Sequence, residues 1–372
     1  MKLAKSRRYV LLKNAAKATL PGDRSWPQPR DDSLEMAAAP PVTMDWPAGV
    51  PKPKVGLVRD GDIFPYWTKY RNFLVENQID YEIYDIHRSD WRRRAAQFDL
   101  VVWRPMGFPS ELDECRRKFY VLERHMGKVC YPCLDEALLY EDKILQYELL
   151  RLHDIPVIDT FVSHSREETV AGLSRWRYPA VWKIAAGSGS YGVELVPDRR
   201  TAERWVRRAF SFSGRRSYWP YMGQKDYVLV QPLVLNEGFD LRVLVVGDVA
   251  VGYYRQVPEG DFRASGMGLV DKVVLPTDAV KLARRAAQAL DSPCLAVDML
   301  RDTAGELLVI EVSAFIQMET PEQMMVNGVP GVMVGDECRF RPCRVWMQEL
   351  ALERVLQTRW IDRLKPALPR RS

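Results

Sequence analysis

The sequence predicts an α/β chain, α+β in its larger part. A small parallel-sheet domain precedes a larger body of antiparallel strands and helices, and a disordered tail precedes both. Three observations lead there. Between residues 54 and 131 short apolar runs alternate with helical patterns, the order that builds a parallel sheet. From residue 180 to 315 strands predominate, and the short turns at Gly247-Asp248 and Thr303-Ala304-Gly305 favour antiparallel pairing of the strands they join. The first 53 residues hold eight of the 25 prolines and show neither a helical nor a strand period.

Charge follows the same division. The chain has 372 residues, 47% hydrophobic and 28% charged, with a formal net charge of +5. This composition excludes a wholly disordered or collagen-like chain. No apolar run reaches the roughly 18–20 residues of a membrane helix. Residues 1–54 carry ten basic and five acidic side chains, so the whole excess sits there and the remaining residues are neutral. The first 20 residues are basic and moderately apolar, but Lys13 and Lys17 interrupt any signal-peptide core. They read as a solvated arm, with a surface-lying helix as the alternative. The six cysteines lack the two closely spaced pairs of a zinc site, and the lone Cys130-x-x-Cys133 has no thioredoxin-like context. They read as structural thiols of a reducing compartment.

The elements follow in order. KVGLVRD from Lys54 is a buried strand, PYWTKYRNFLVENQ a helix, IDYEIYDI a strand; a helical stretch around Arg92 leads to FDLVVWRP, the third strand. Ser110–His125 is a helix. LDEALLYEDKILQYELLRLHDIP has apolar residues at helical spacing and stops at Pro156. VIDTFV is a short strand and EETVAGLSRW a helix. PAVWKIAAGSGSYGVELVPD reads strand, glycine-rich turn, strand, and RTAERWVRRAF is a helix. Then come YVLVQPLV, and DLRVLVVG with VAVGYYRQV, a hairpin turning at Gly247-Asp248. Asp278–Leu290 is a helix, CLAVDMLRD and ELLVIEVSAF are strands, and a helix around Val345–Gln357 closes the chain. The expected units are a tail at 1–53, an α/β domain at 54–133, a lid at 134–230, a second sheet subdomain at 231–318 and an extension at 319–372.

Two features carry chemistry. Gly187-Ser188-Gly189-Ser190-Tyr191-Gly192 matches GxGxxG, a backbone that can approach phosphate closely. A dinucleotide fold needs a helix immediately after such a loop, whereas here Val193-Glu194-Leu195-Val196-Pro197 alternates as a strand. A kinase needs HRD and DFG elements, and a Walker loop needs its lysine after the glycines; none is present. What remains is a hairpin with Lys183 on the strand before it, placed to reach phosphate, or an ordinary glycine-rich hairpin. The second feature is Asp298 and Glu311, each inside an apolar strand. Buried carboxylates need a counter-charge, so these two share Mg²⁺ or form salt bridges with nearby arginines.

The full series is Asp142-Lys143, Lys183 with its loop, VLVQPLV, Asp240-Leu241-Arg242, Gly260-Asp261-Phe262-Arg263, Asp298 and Glu311-Val312-Ser313. It resembles the ATP-grasp superfamily, closest to its RimK-like branch of carboxylate–amine ligases, over roughly Leu134–Phe315. The resemblance implies an ATP-grasp fold with nucleotide between two antiparallel sheets. It implies that Lys183 and Lys143 hold phosphates under the loop Gly187, Ser188, Gly189, Ser190 and Gly192. The adenine would meet the connector Gln231, Pro232, Leu233 and Val234, and Asp240 the ribose. Arg263, Ala264 and Ser265 would lie at the phosphate end, and Asp298, Glu311 and Ser313 would bind one or two Mg²⁺ ions, with Mn²⁺ as a substitute. Ser265 and Ser313 stand where the commoner motifs carry Asn, which marks a variant subgroup with DFRAS and EVS motifs; both keep an oxygen.

The implied reaction activates a carboxylate as acyl phosphate and forms an amide with an amine, Arg263 and Arg242 acting as the catalytic cations. Arg242 and Arg255 are expected to clamp the substrate carboxylate, with surface salt bridges as the alternative. Glu319, Glu322 and Asn327 are candidates for acceptor contacts. The four histidines lie outside the motifs. Expected partners are small-molecule carboxylates and amines in the cytoplasm, without nucleic acid; a homodimer is compatible with the sequence. The alternative function is an ATP-binding scaffold or sensor without ligase activity.

Overall fold

The computed structural model describes residues 36–62, 64–187, 190, 192–217, 219, 222–265 and 269–364. The expectations for residues 1–35 and for Ser188 and Gly189 lie outside the described residues.

Four strands, β1 (Val55–Leu57), β2 (Tyr81–Ile83), β3 (Leu100–Val102) and β4 (Val129–Tyr131), form an all-parallel sheet in the order β2-β1-β3-β4. They connect through α1 (Tyr66–Glu76), α2 (Trp91–Ala95) and α3 (Pro109–Arg124). Both faces are covered, as a parallel sheet requires. Val55, Leu57, Leu100, Val102, Val129 and Tyr131 point toward α1 and the main core. Val101, Trp103 and Cys130 point the other way, into a cluster with Cys115, Phe119 and Leu122 of α3.

The single helix expected from residue 134 is broken into α4 (Leu134–Leu139) and α5 (Lys143–Leu152). Glu141 takes a left-handed backbone (φ 60°) and Asp142 caps α5, its carboxylate accepting from the N–H groups of Ile144 and Leu145. Apolar residues continue across the break and conceal it: Leu134 and Ala137 of α4 enter the cluster under α3, whereas Leu139 and the α5 residue Leu150 enter the main core.

The lid is a four-stranded antiparallel sheet of β5 (Phe161–Ser163), β6 (Ala180–Lys183), β7 (Val193–Val196) and β8 (Val228–Pro232), ordered β5-β8-β6-β7. Helices α6 (Arg166–Gly172) and α7 (Arg199–Ala209) cover one face. Ala180, Trp182, Val228 and Val230 pack beneath them. The alternation of a strand therefore sends Val181, Lys183, Leu229 and Gln231 to the opposite face.

The larger sheet contains β9 (Phe239–Val246), β10 (Val249–Gln256), β11 (Val270–Asp271), β12 (Cys294–Arg301), β13 (Leu307–Ser313), β14 (Met325–Val326), β15 (Val329–Val334) and β16 (Arg339–Pro342). Its main path is β13-β12-β9-β10-β15-β14. Helix α8 (Thr277–Ala289) covers one face through Ala279, Val280, Ala283, Ala286 and Ala287. The helix α9 (Met347–Val355) packs on α1 and β9 and continues as a π-helical turn, Leu356–Ile361.

Two expected boundaries move. The stretch at 319–372 is no separate extension: β15 pairs with β10 and β16 with β15, so this chain completes the sheet. Residues 42–46, expected within the tail, join the fold. Val42 N–H donates to Glu349 Oε2 (2.7 Å), Met44 N–H to Asn77 Oδ1 (2.8 Å), and Val42, Met44 and Trp46 pack on the core. Dense proline removed the periodic signal without removing the apolar contacts.

Candidate functional site

The two antiparallel sheets face each other across an open cleft of about 830 Å³. Its lining gathers Lys143, Lys183, Ser190, Gln231, Pro232, Leu233, Val234, Asp240, Arg263, Ala264, Ser265, Asp298 and Glu311, residues dispersed over 169 positions of sequence. Strand alternation explains the convergence. On β9, Asp240 and Arg242 share a face while Leu241 and Val243 enter the core. Asp298 sits opposite Arg242 on one side and Glu311 on the other, so one row of charges crosses three strands. A bulge after Asp298 brings Met299 opposite Val309 and leaves Ile310 extra. Ile310 and Glu311 therefore both reach the cleft.

The charges are tightly paired. Arg242 grips Asp298 with both arms of its fork, Nε to Oδ1 at 2.7 Å and Nη2 to Oδ2 at 2.8 Å. Arg255 holds Asp240 the same way at 2.6 and 2.8 Å, and its Nη2 also lies 3.0 Å from Asp298 Oδ2. Burial by itself would raise the Asp298 carboxyl, but these two guanidinium groups outweigh it and hold Asp298 ionised, well below the usual range. The arginine salt bridge that competed with a metal role for Asp298 is thus present. For Arg242 and Arg255 the salt-bridge alternative holds, with the Arg255 pair buried and the Arg242 pair partly buried; Arg242 does not line the cleft, so the expected clamp on a substrate carboxylate is not seen for it. Arg263 lines the cleft and is forked by Asp261 at 2.9 and 2.8 Å.

Lys143 opens α5, and its ammonium crosses the cleft floor to the Gly187 carbonyl and to Glu311 Oε1 at 3.1 Å. Burial would lower its pKa, yet Glu311 and Glu141 raise it, so it stays charged. Lys183 has no carboxylate of the described residues at ion-pair distance. Burial, and then the Lys143 charge, lower it to about 8. Two buried ammonium groups in each other's field, one without an ion-pair partner among the described residues, are poised for an anion.

The glycine-rich turn has steric reasons for its composition. A Cβ at Gly192 (φ +74°) would lie 2.3 Å from Ile184 Cγ1. Ser190 Oγ donates to the Ser265 carbonyl at 2.9 Å, so the loop and the DFRAS turn meet over the cleft. At the other end β8 leaves the sheet after Pro232, freeing the backbone of Leu233 and Val234 beside the apolar walls Ile158, Val181, Leu300 and Ile310. That slot suits a flat aromatic base. Gln231 turns its amide to Thr160 Oγ1 at 2.8 Å.

The carboxylates suit a hard divalent cation. Asp298 is ionised and Glu311 keeps one oxygen outside its ion pair. Ser313 Oγ donates to the Phe315 carbonyl and accepts from its N–H, which leaves one lone pair. Among the described residues no three His, Cys, Asp or Glu side chains gather as a metal cluster. A cation here would therefore draw its remaining ligands from phosphate oxygens and water, as Mg²⁺ does.

Glu319, Glu322 and Asn327 do not line this cleft; Glu322 pairs with Arg344, and Asn327 lies exposed in the turn before β15. His87 pairs with Glu114 and His164 meets the Asp226 carbonyl, both away from the cleft. All six cysteines are free; Cys130 and Cys294 are buried, and burial pushes the Cys133 thiol up to about 12, which makes it unreactive. Sequence reasoning missed Glu141 and Gln146. Gln146 Oε1 accepts from Val312 N–H and pins β13, whereas Glu141 is buried beside Lys143 and Glu311. Glu141 carried no signal of burial in sequence, because it stands in the charged triplet Glu141-Asp142-Lys143. Among the described residues no helix is long and apolar enough to cross a membrane.

The sequence model of the RimK-like ATP-grasp domain matches residues 140–331. A probable alpha-L-glutamate ligase of Haemophilus influenzae (strain PittEE) is 27% identical over 225 residues, 58% of this chain and 69% of that protein. A ribosomal protein bS6–L-glutamate ligase of Escherichia coli O139:H28 is 29% identical over 203 residues, 52% of this chain and 62% of that one. Among solved structures, an N5-carboxyaminoimidazole ribonucleotide synthetase in its ADP complex superposes with a TM-score of 0.50 at 12% identity, over 73% of this chain and 72% of its own, a likeness of fold alone.

Proposed function

This chain belongs to the RimK-like ATP-grasp family, and from that premise we propose that it is an ATP-dependent carboxylate–amine ligase working through an acyl phosphate. The observation that supports this most is the cleft itself. It brings two buried ammonium groups, a base-sized apolar slot, and the carboxylates of Asp298 and Glu311 into one cleft between the sheets.

In this reading the connector Gln231–Val234 receives the adenine and Asp240, oriented by Arg255, the ribose. Lys183 and Lys143 neutralise the phosphates, and the loop ending at Gly192 closes over them against Ser265. Asp298 and Glu311 would hold Mg²⁺, which supplies charge neutralisation on the phosphate oxygens. Arg242 is a positioning residue: its fork fixes Asp298. Arg263 supplies positive charge at the cleft wall where phosphoryl transfer builds negative charge. The substrate carboxylate attacks the γ-phosphorus and ADP leaves. The amine nitrogen, having shed one proton, then attacks the acyl carbon; the C–O bond breaks and phosphate departs with that electron pair. The second amine proton is lost to solvent or phosphate. Closure of the loop keeps water from the acyl phosphate. The cytoplasm, which supplies ATP and reduced thiols, is the compartment that suits this chemistry.

The names of the relatives make L-glutamate the first amino acid to try. The test is ADP release on a panel of carboxylates and amino acids, and on cell extract, beside Asp298→Ala. Stimulated release in the wild type alone is expected. A wild-type rate that no addition lifts above the variant would remove the ligase reading.

A further inference from the structure

The neutral charge of residues 55–372 conceals a division. Residues 161–232, from β5 to β8, carry twelve basic and six acidic side chains, and the rest of the body carries the matching acidic excess. The basic groups concentrate in one stretch. Residues 199–216, α7 and the turn after it, hold seven arginines and a single carboxylate, Glu203. Arg215 turns inward, lying 4.1 Å over the Trp205 ring and pairing with Glu194. The other six are exposed. Helix α7 buries Ala202, Val206 and Ala209 against the lid sheet. At helical spacing Arg200, Arg204, Arg207 and Arg208 fall on the opposite side, in a stripe about 12 Å long. The stripe faces away from the cleft, since Lys183 and Gln231 leave the sheet by its other face.

These arginines work against their own helix. Arg200 and Arg204, and Arg204 and Arg208, stand four apart, where like charges destabilise. Arg199 and Arg200 occupy a first turn without an acidic residue, at the positive end of the helix dipole. Asp198 lies in the field of Arg200 and Arg204, but its carboxylate caps the helix, accepting from the Thr201 N–H at 2.7 Å. Among the described residues α7 forms one side-chain ion pair, Arg199 with Glu203 at 3.0 Å. The exposed face of α3 shows the ordinary arrangement: Arg116 and Arg117 pair with Asp113 at 4.0 and 3.7 Å, and Lys118 with Glu114 at 2.5 Å. Three residues past α7, Phe212 is 98% exposed, with Lys225 Nζ 5.3 Å from its ring centre. An arginine row that ends at a bare aromatic ring is suited to tracking phosphates and stacking a base. A lipid surface fits less well, because α7 has turned its apolar side inward and offers a membrane no apolar face. An acidic peptide would leave Phe212 without a role.

We propose that the outer face of the lid is a docking surface for single-stranded nucleic acid. Backbone phosphates lie along Arg200, Arg204, Arg207 and Arg208, and a base stacks on Phe212. Arginine suits this role because its planar fork meets two phosphate oxygens at once. The contacts are with the backbone and a base face, so the surface carries little sequence preference. It runs against the expectation of partners without nucleic acid, because the neutral charge of residues 55–372 is the sum of a basic lid and an acidic remainder. None of these residues lines the cleft, so the surface does not depend on the ligase reading.

The test is fluorescence anisotropy of a labelled single-stranded RNA of roughly 15 nucleotides, titrated with the full chain across a salt series. The wild type is expected to bind. The fourfold variant Arg200→Glu, Arg204→Glu, Arg207→Glu, Arg208→Glu is expected to lose about tenfold or more, with a salt slope shallower by about 0.7 for each phosphate contact removed. Lysine at the same four positions keeps the charge and should retain most of the affinity, which covers the case of a misfolded glutamate variant. Phe212→Ala should weaken binding several-fold and leave the salt slope unchanged. RNA binding that is absent, or equal in the wild type and the glutamate variant, overturns the proposal; the second result would place the binding on basic residues elsewhere in the chain. Unchanged affinity in Phe212→Ala overturns the stacking and with it the single-stranded assignment. Tighter, stripe-dependent binding of poly-L-glutamate or of phosphatidylserine vesicles also overturns the proposal, making the partner an acidic protein or a membrane.

Discussion

Lys183 is the residue on which the nucleotide account bears hardest. Its folded pKa, about 8, lies below its ordinary 10.5 because burial and Lys143 disfavour the charge. The sign follows: the cost of keeping it charged is full below pH 8 and fades between 8 and 10.5. An anion binding beside it should restore the proton. ATP affinity should therefore fall as pH rises past 8, with proton uptake on binding, and Lys183→Arg should abolish that fall. Titrations in buffers of different ionisation enthalpy measure both, and affinity level across pH 8 would count against a phosphate contact. Lys183, Asp298 and Glu311 were legible in sequence because a charge amid apolar alternation announces itself. The pairing of Arg242 with Asp298 and the burial of Glu141 were not, since they depend on which strands become neighbours and on one left-handed turn. Gly192 was legible as a glycine but not for its reason, the close approach of Ile184. Gly192→Ala should deform the turn and lower ATP affinity about tenfold or more, measured by the same titration.

At the level of elements, α5 aims Lys143, and Asp142 secures its first turn. Removing that cap by Asp142→Ala should cost about 1 kcal/mol in urea unfolding, and it should also weaken ATP binding because Lys143 is the first helical residue. A stability loss with unchanged ATP affinity would show that the cap does not position the lysine. Most elements were readable from period and turn chemistry: the parallel strands, the lid hairpin, and the β9–β10 hairpin at Gly247. The short strands β14 to β16 were not. Each has two to six residues with mixed patterns, and their strand character comes from pairing with β10 and with one another rather than from local preference.

Over the whole molecule, one core joins the parallel sheet, α1, the larger sheet and α9. Residues 42–46 strap across it through Glu349, which is fully buried and also accepts from Asn72 Nδ2 at 2.7 Å. Glu349→Ala leaves both donors without their acceptor and should cost about 2–4 kcal/mol, with new proteolytic cleavage between residues 40 and 53. Unchanged stability would mean that the strap is incidental. The net charge of +5 says nothing of the site, whose arginines, lysines and carboxylates nearly cancel within one cleft. The central claim is that this cleft converts a carboxylate to an acyl phosphate. Hydroxylamine intercepts such an intermediate directly. With ATP, Mg²⁺ and cell extract as the source of carboxylate, the wild type should form hydroxamate in step with ADP, and Lys183→Met should form none. ATP hydrolysis without hydroxamate, or release of AMP and pyrophosphate, would contradict the account.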